Sequence, residues 1–513
     1  MAFISLFEVI GPNMVGPSSS HTAGAVSMAL LARKLFPAEI KKVEFTLYGS
    51  FAKTYRGHGT DRALLGGIMG FETDDLRIRD SLSIAKERNL DYHFSIGQDT
   101  GEEHPNTADI DMTGVNGERL FVRGVSIGGG KVKIVRLNQI DVDFTGEYST
   151  LIISQTDRPG VVAHITKVLS EREVNIAFMR LFREEKGAKE FRMRLWNGYG
   201  KILWFRMLCW YRFKKRQERM MDFNYAGELL RLCEETKLPI SEVMKRREMD
   251  FSSMTAQEVE EKMRKSLEIM KTAAKEPLEN EKPSMGGLIG GEAKLLFSQK
   301  GKEKDICGDV VLKAITYAMA VLEVNASMGV IVAAPTAGSA GVIPGVFLAL
   351  KEEKALSDEI LLKGLYTAGA VGYLLMRNAS VAGAEAGCQA EVGAASAMAA
   401  AGVVEMFGGT PKQCLDAGSL ALSNLLGLVC DPIAGLVEAP CQNRNSIGAT
   451  NALICAQQAL AGIKALIPFD EMVEAMYHVG RSLPFELRES ALGGCAGTKT
   501  GCQKTCEIFQ KNE

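Results

Sequence analysis

Residues Val324 to Leu350 carry no charged side chain, and the run exceeds the ~20 residues that span a bilayer as a helix. Pro335, Thr336, Gly338, Ser339, Gly341, Pro344 and Gly345 break it midway. A helix interrupted there would leave backbone groups that lipid cannot satisfy, so the run belongs in a protein interior with a small-residue loop at its centre. The surrounding sequence agrees. From Asp305 to Leu483, stretches rich in Ala, Leu and Val alternate with glycine-rich breaks, and no convincing strand pattern occurs. This reads as an all-α domain whose small side chains let helices approach closely.

The chain has 513 residues, and at ~100 to 200 residues per domain it holds two to four domains. Hydrophobic residues make up 46% and charged residues 24%, an ordinary globular balance that excludes a disordered or fibrous chain. Lys+Arg of 60 against Asp+Glu of 62 gives a net charge of -2, so no global field recruits nucleic acid or an anionic membrane. The N-terminal MAFISLFEVI lacks a basic start and runs into Gly11 and Pro12, unlike a signal peptide. The expected compartment is reducing cytoplasm, where the 11 cysteines are free for metal binding or chemistry rather than disulfides.

Three regions follow. Residues 1 to 145 alternate short β-like runs (Val43 to Tyr48, Arg119 to Val122, Lys131 to Leu137) with loops and two helical stretches, which predicts an α+β domain. One helix is predicted over Ala23 to Phe36 and another after Asp61. Residues 148 to 221 begin with a strand at Thr150 to Ser154, the turn Asp157-Arg158-Pro159-Gly160, an amphipathic helix from Val161 to Ser170, and an alternating run from Asn175 to Phe182. That order resembles the first half of an ACT domain, the small βαββαβ module that often binds an amino acid. Its second half is atypical. Trp196, Trp204, Trp210 and nine Lys/Arg crowd residues 190 to 220. A membrane-surface or nucleic-acid element has such a composition, but the segment reads better as locally altered sequence of the kind a reading-frame slip leaves. Residues 222 to 513 are helical almost throughout. A capping box, Thr255-Ala256-Gln257-Glu258, opens a helix to about Lys275, and Lys275 to Gly291 reads as an extended connector.

Candidate chemistry concentrates in a few loops. His21 lies in Pro17-Ser18-Ser19-Ser20-His21-Thr22, a hydroxyl-rich turn entering a helix, where N–H groups and the helix dipole favour a carboxylate or phosphate. His58, between Gly57 and Gly59, has flanks that let its ring approach a ligand. His104 begins the rigid turn His104-Pro105-Asn106-Thr107. Any one such histidine is more often structural; three in one small domain shift the balance toward a site. Cys388, Cys430 and Cys441 each sit at a break between apolar helices, and Cys495, Cys502 and Cys506 form a second set near the C-terminus. No C-x-x-C pair occurs, so by spacing alone these read as buried free thiols. Thr336 to Gly341 is a loop suited either to wrapping a compact polar ligand or to a tight helix crossing. Glu438, Asn443, Arg444 and Asn445 cluster beside Cys430 and Cys441 more densely than an apolar core admits.

Taken together, the GPSSSHT and GHGTD loops, His104 to Thr107, Ser126 to Gly130, Ala334-Pro335-Thr336, Ala384 to Gly393 and Cys430 to Asn443 resemble the iron-sulfur L-serine dehydratases (L-serine ammonia-lyases) in a single-chain form. The resemblance covers nearly the whole chain and implies a β-type domain, an ACT module and an α-type catalytic domain. It reverses the spacing-based reading of the cysteines: Cys388, Cys430 and Cys441 become the ligands of a 4Fe-4S cluster whose fourth iron is open as a Lewis acid. It implies a lyase that converts L-serine to 2-aminoacrylate, which tautomerises to an imine that water hydrolyses to pyruvate and ammonia. His58 is the favoured base, with His21 and His104 as alternatives or orienting groups. Ser18, Ser19, Ser20 and Thr22 would hold the carboxylate. Thr336, Ser339, Asn443 and Arg444 are further substrate contacts, and Cys506 a cap for the open iron when serine is absent. The expected partners are L-serine and a second copy of the chain in a homodimer, with neither nucleic acid nor membrane.

Two rivals perform or mimic the task. A pyridoxal-phosphate dehydratase needs a Schiff-base lysine and a phosphate loop in a strand-rich α/β fold, which the C-terminal half does not offer. A nonenzymatic amino-acid sensor built on the ACT-like segment leaves the C-terminal half idle.

Overall fold

The computed structural model describes residues 3–98, 103–146, 150–153, 159–172, 174, 176, 179, 181, 194–195 and 221–510. Ten strands are named here in chain order: β1 (Asn13–Val15), β2 (Ile40–Leu47), β3 (Asp91–Ile96), β4 (Thr107–Gly114), β5 (Arg119–Gly128), β6 (Lys131–Leu137), β7 (Ile140–Phe144), β8 (Leu151–Ile152), β9 (Arg194–Leu195) and β10 (Val330–Val332).

The N-terminal domain is a six-stranded sheet in the order β3-β2-β4-β5-β6-β7, parallel only between β2 and β3. The helices Gly24–Leu35 and Thr60–Ile68 pack together, and Val26, Met28, Ala63 and Leu64 share one core with Val43, Phe45, Ile110 and Val122 of the strands. The predicted strands and helices are present. Within this sheet β3, β4 and β7 are additions to the sequence reading. β4 (TADIDMTG) is buried at nearly every position, so it lacks the alternation that marks a strand with one wet face.

The ACT-like region pairs β8 with β9 antiparallel, and the helix Val161–Ser170 starts after Gly160 as expected. Asp157, Arg158, most of Asn175 to Phe182, and all of residues 190–220 except β9 lie outside the described residues.

The C-terminal domain is helical. The alanine-rich helix Ala394–Met406 is buried along almost its whole length, against the helices Asp358–Asn378, Pro411–Asn424 and Cys441–Leu460. Alanine on every face lets these neighbours surround it. The Thr255 capping box forms, but its helix runs on to Glu279 with Pro277 inside, so the extended connector is shorter than expected. The uncharged run at Val324 to Leu350 divides into a helix end at Ala326, strand β10, a short 3-10 turn at Ala337–Ser339 and the helix Val342–Glu353. Among the described residues no helix is long and apolar enough to cross a membrane.

β10 corrects the expectation of a strand-free catalytic half. It pairs antiparallel with β1, Asn13 opposite Val332 and Val15 opposite Val330, which stitches the two large domains together. A three-residue strand whose partner lies at the other end of the chain leaves no local pattern to read. The extreme N-terminus also crosses over. Leu6, Val9 and Ile10 belong to the helical domain's core, and Glu248 accepts from Ser5 Oγ (2.7 Å) and the Leu6 N–H (2.8 Å).

Candidate active site

Two loops leave opposite ends of the antiparallel β1–β10 pair and are joined through Asn325. The first is residues 16–23, whose Ser19–Ala23 turn continues into the helix Gly24–Leu35. The second is residues 334–341. Asn325, fully buried, ties them: its Nδ2 donates to Pro17 O (3.1 Å) and Ala337 O (3.3 Å).

Within the first loop Ser18 Oγ accepts from the His21 N–H (3.1 Å) and lies 3.3 Å from His21 Nδ1. Thr22 Oγ1 donates to His58 O (2.8 Å) and accepts from the Ser18 N–H (3.2 Å). Ser18 and Thr22 therefore shape the loop. The Ser19 and Ser20 hydroxyls have no protein partner among the described residues.

His21 and His58 are buried neighbours, with ring centroids 4.6 Å apart. His21 Nε2 lies 2.9 Å from Ser50 Oγ. His58 Nε2 lies 2.8 Å from Gly435 O, and its Nδ1 lies 3.2 Å from Thr54 Oγ1. A carbonyl only accepts, so His58 carries its proton on Nε2 when neutral, and Nδ1 is the basic atom. The glycine flanks act differently from expectation. They do not open His58 to solvent. A Cβ at Gly57 would sit 2.6 Å from Leu436 Cδ2, and one at Gly59, whose φ is +61°, 2.8 Å from Met328 Cε. Glycine lets the catalytic domain close over the ring, which is only 3% exposed. His104 is exposed on a turn whose Pro105 O accepts from the N–H of Ser50 (2.7 Å), the residue beside His21, while its own Nδ1 accepts from the Asn106 N–H (3.2 Å) and Glu385 acts on it electrostatically.

Burial holds the His58 imidazole down at about 4, opposed by the Gly435 carbonyl, and holds His21 well below the ordinary value with help from His58. Both are neutral near pH 7. Because folding depresses these values, the unfolded chain binds more protons once the pH drops below ~6.5, and stability is lost from there toward about pH 4. The urea midpoint of the metal-free protein should fall across that window. His58→Gln should flatten the decline; an unchanged slope would refute the assignment.

Cys388, Cys430 and Cys441 are all buried and near one another. Burial pushes the Cys388 thiol up to about 12, aided by Glu391, and raises Cys430 and Cys441 well above the ordinary value; each of the latter two also feels Cys388. Three thiols close enough to oppose one another's ionisation become thiolates only around a cation. The donor set thus fits an iron-sulfur cluster. Among the described residues no three His, Cys, Asp or Glu side chains close on a single point as around one ion. A four-iron cluster does not require that, since each thiolate binds its own iron.

Arg444 braces this group. It donates to Val429 O (2.7 Å) and pairs with Asp431 Oδ1 (2.7 Å), while Asp431 Oδ2 accepts from the Cys495 N–H (2.6 Å). Asn443 is exposed. Ser339 is fully buried, 3.1 Å from Thr336 Oγ1. Cys502 and Cys506 are exposed on the helix Lys499–Gln510, whose Ile508 packs on Ala434 and Leu436 beside the Gly435 that holds His58.

Two carboxylates acquire roles here, Glu438, which the sequence already placed in the Cys430 to Asn445 cluster, and Glu391, which sequence reasoning missed. Glu438 accepts from Ser284 Oγ (2.7 Å) and the Gly286 (2.6 Å) and Leu288 (2.9 Å) N–H groups, which docks the glycine-rich connector on the Cys441 segment. Glu391 accepts from Thr336 Oγ1 (2.7 Å) and lies 3.8 Å from Cys430 Sγ. Burial pushes its carboxyl up, with the Thr336 hydroxyl opposing, and burial with Glu391 nearby raises Glu489 to about 8.

Comparison with known proteins follows the same division. The pattern described as "Serine dehydratase alpha chain" matches residues 235–496, "Serine dehydratase beta chain" residues 3–136, and "ACT domain" residues 149–195, ending where the basic aromatic segment is concentrated. The "Probable L-serine dehydratase, alpha chain" of Bacillus subtilis (strain 168) is 47% identical over 287 residues, 56% of this chain and 95% of that protein. The "L-serine dehydratase, beta chain" of Peptoniphilus asaccharolyticus is 48% identical over 176 residues, 34% of this chain and 79% of that protein. The single-chain "L-serine dehydratase TdcG" of Escherichia coli (strain K12) is 29% identical over 96% of this chain and 98% of its own length. The chain belongs to the serine dehydratase family, with the alpha-chain, beta-chain and ACT segments joined in one polypeptide.

Proposed function

We propose that this protein is an L-serine ammonia-lyase, eliminating water from L-serine and releasing pyruvate and ammonia, and that it depends on a 4Fe-4S cluster held by Cys388, Cys430 and Cys441. The observation that carries the reading is the pairing of a neutral, buried imidazole at His58 with three coupled buried thiols, contributed by two domains that one β-bridge brings together. When bound, such a cluster supplies a Lewis-acidic iron that eases departure of the substrate hydroxyl.

The chain's own residues do the rest. The open Ser19 and Ser20 hydroxyls receive the substrate carboxylate, with Ser18, Thr22 and Asn325 fixing their loop. His58 accepts the Cα proton at Nδ1. The resulting imidazolium donates to Thr54 Oγ1, whose own hydrogen is directed to Ser50 O (2.8 Å), while Nε2–H keeps its bond to Gly435 O. His21, held by Ser18 and Ser50, fixes the His58 ring by contact. Burial excludes water, which protects the reactive enamine until release. The domain limits are 1–145, 148–221 and 222–513, with Leu6, Val9 and Ile10 of the first packed in the core of the third.

Anaerobic purification with iron and sulfide analysis, followed by a pyruvate assay on L-serine, tests the reading. A brown protein that loses colour and activity together in air is the expected result; colourless, air-stable, fully active protein would overturn it.

A further inference from the structure

We infer that Glu391 is the residue that recognises the α-ammonium group of the substrate and so makes the site select 2-amino acids over 2-hydroxy acids. The inference rests on the proposed reaction. L-serine enters as a zwitterion, yet the groups assigned so far serve its carboxylate, its Cα proton and its hydroxyl; none is an anion for its positive end. Burying that charge without a partner is prohibitive.

Four other carboxylates near the cysteines have partners of their own among the described residues. Asp431 is held by Arg444 and the Cys495 N–H. Glu438 takes three donors from the connector. Glu323 accepts from the Ala293 N–H (2.9 Å) and Gln442 Nε2 (2.9 Å), both on Oε1, and although its buried Oε2 has no hydrogen-bond partner among the described residues, it faces Glu292 rather than the Thr336 loop and Cys430. Glu489 is held by the Ala384 N–H.

Glu391 differs. It lies deep between the Thr336 loop and Cys430 but retains exposed surface, as a group lining a cleft does. Oε1 accepts from Thr336 Oγ1, while the hydrogen-bond partner of Oε2 among the described residues is the Cys430 thiol at 3.8 Å, with Gly383 packed against it and Glu489 nearby. Once Cys430 serves as a thiolate ligand it has no S–H to offer, and Oε2 is left needing a donor. An ammonium group supplies three. Arg444, the cation acting on Glu391, is occupied with Val429 O and Asp431 and does not fill that need. The position also suits the geometry of serine: Glu391 joins the Thr336 loop, which Asn325 ties to the carboxylate-binding loop, to a cluster ligand on the opposite side.

The test compares L-alanine with L-lactate, which differ only in carrying an ammonium or a hydroxyl on Cα. Binding to iron-loaded protein is measured by anaerobic titration calorimetry. Wild type should prefer alanine by about 10- to 100-fold, the worth of one charge-assisted hydrogen bond. Glu391→Gln should bring the ratio close to one by weakening alanine alone, with iron content and cluster absorbance unchanged, and should raise KM for serine. Glu391→Asp, which keeps the charge, should retain part of the preference. An unchanged ratio in Glu391→Gln, equal weakening of both ligands, or no preference in wild type overturns the inference. If Glu391→Gln loses its iron, Glu391→Asp decides: iron and preference retained support the inference, and iron lost in both makes Glu391 part of the cluster scaffold and overturns it. Failure of the parent reading shows separately, as wild-type protein that releases no pyruvate.

Discussion

Replacing Cys388, Cys430 or Cys441 by Ala should strip iron and sulfide from anaerobically prepared protein and abolish pyruvate release from L-serine. Each thiol is buried and pushed far above the range in which it ionises unaided. Apolar surroundings resist separate negative charges, so the group is stable as thiolates only with metal in place. Removing one ligand leaves two thiolates to hold a cluster that needs three. The apoprotein itself should still fold, because these positions contribute little to the core beyond their own volume; circular dichroism separates ligand loss from unfolding. Full iron retention in all three variants would exclude the assignment.

His58→Ala should lower kcat by ~10² to 10⁴-fold while leaving iron content intact, the loss expected for a general base. The ring is neutral at working pH because burial dominates, and its Nδ1 lone pair faces a hydroxyl already oriented to receive the transferred proton's hydrogen bond. Thr54→Val provides a milder check. It removes that acceptor but not the base, so a fall in kcat smaller than that of His58→Ala is expected, with KM near wild type. If His58→Ala retained full kcat, the role would pass to His21, which packs against it, or to His104, whose turn is bonded to Ser50.

Much of this site is legible in the sequence because its parts are contiguous. Pro17 to Thr22 announces a helix entry with hydroxyls, and the alternation of apolar runs with glycine breaks separates the helical domain from the sheet domain. What escapes is everything that depends on a distant partner. Glu391 reads as one polar residue in an alanine-rich stretch, and only its meeting with Thr336 and Cys430 gives it meaning. Glycine beside His58 signals close approach, but whether solvent or protein makes that approach is decided by Leu436 and Met328, far along the chain. β4 hides because a strand covered on both faces loses its period, and β10 because three residues carry no period at all.

The crossing of the N-terminus into the helical domain bears on how this protein tolerates its middle. Leu6, Val9, Ile10 and the β1–β10 pairing grip the partner half without any help from the ACT-like tether. A nick within that tether should therefore yield two fragments that stay clasped and co-elute, each matching one of the relatives named as an alpha chain or a beta chain. Variation between residues 190 and 220 is accordingly free to accumulate without dismantling the catalytic machinery.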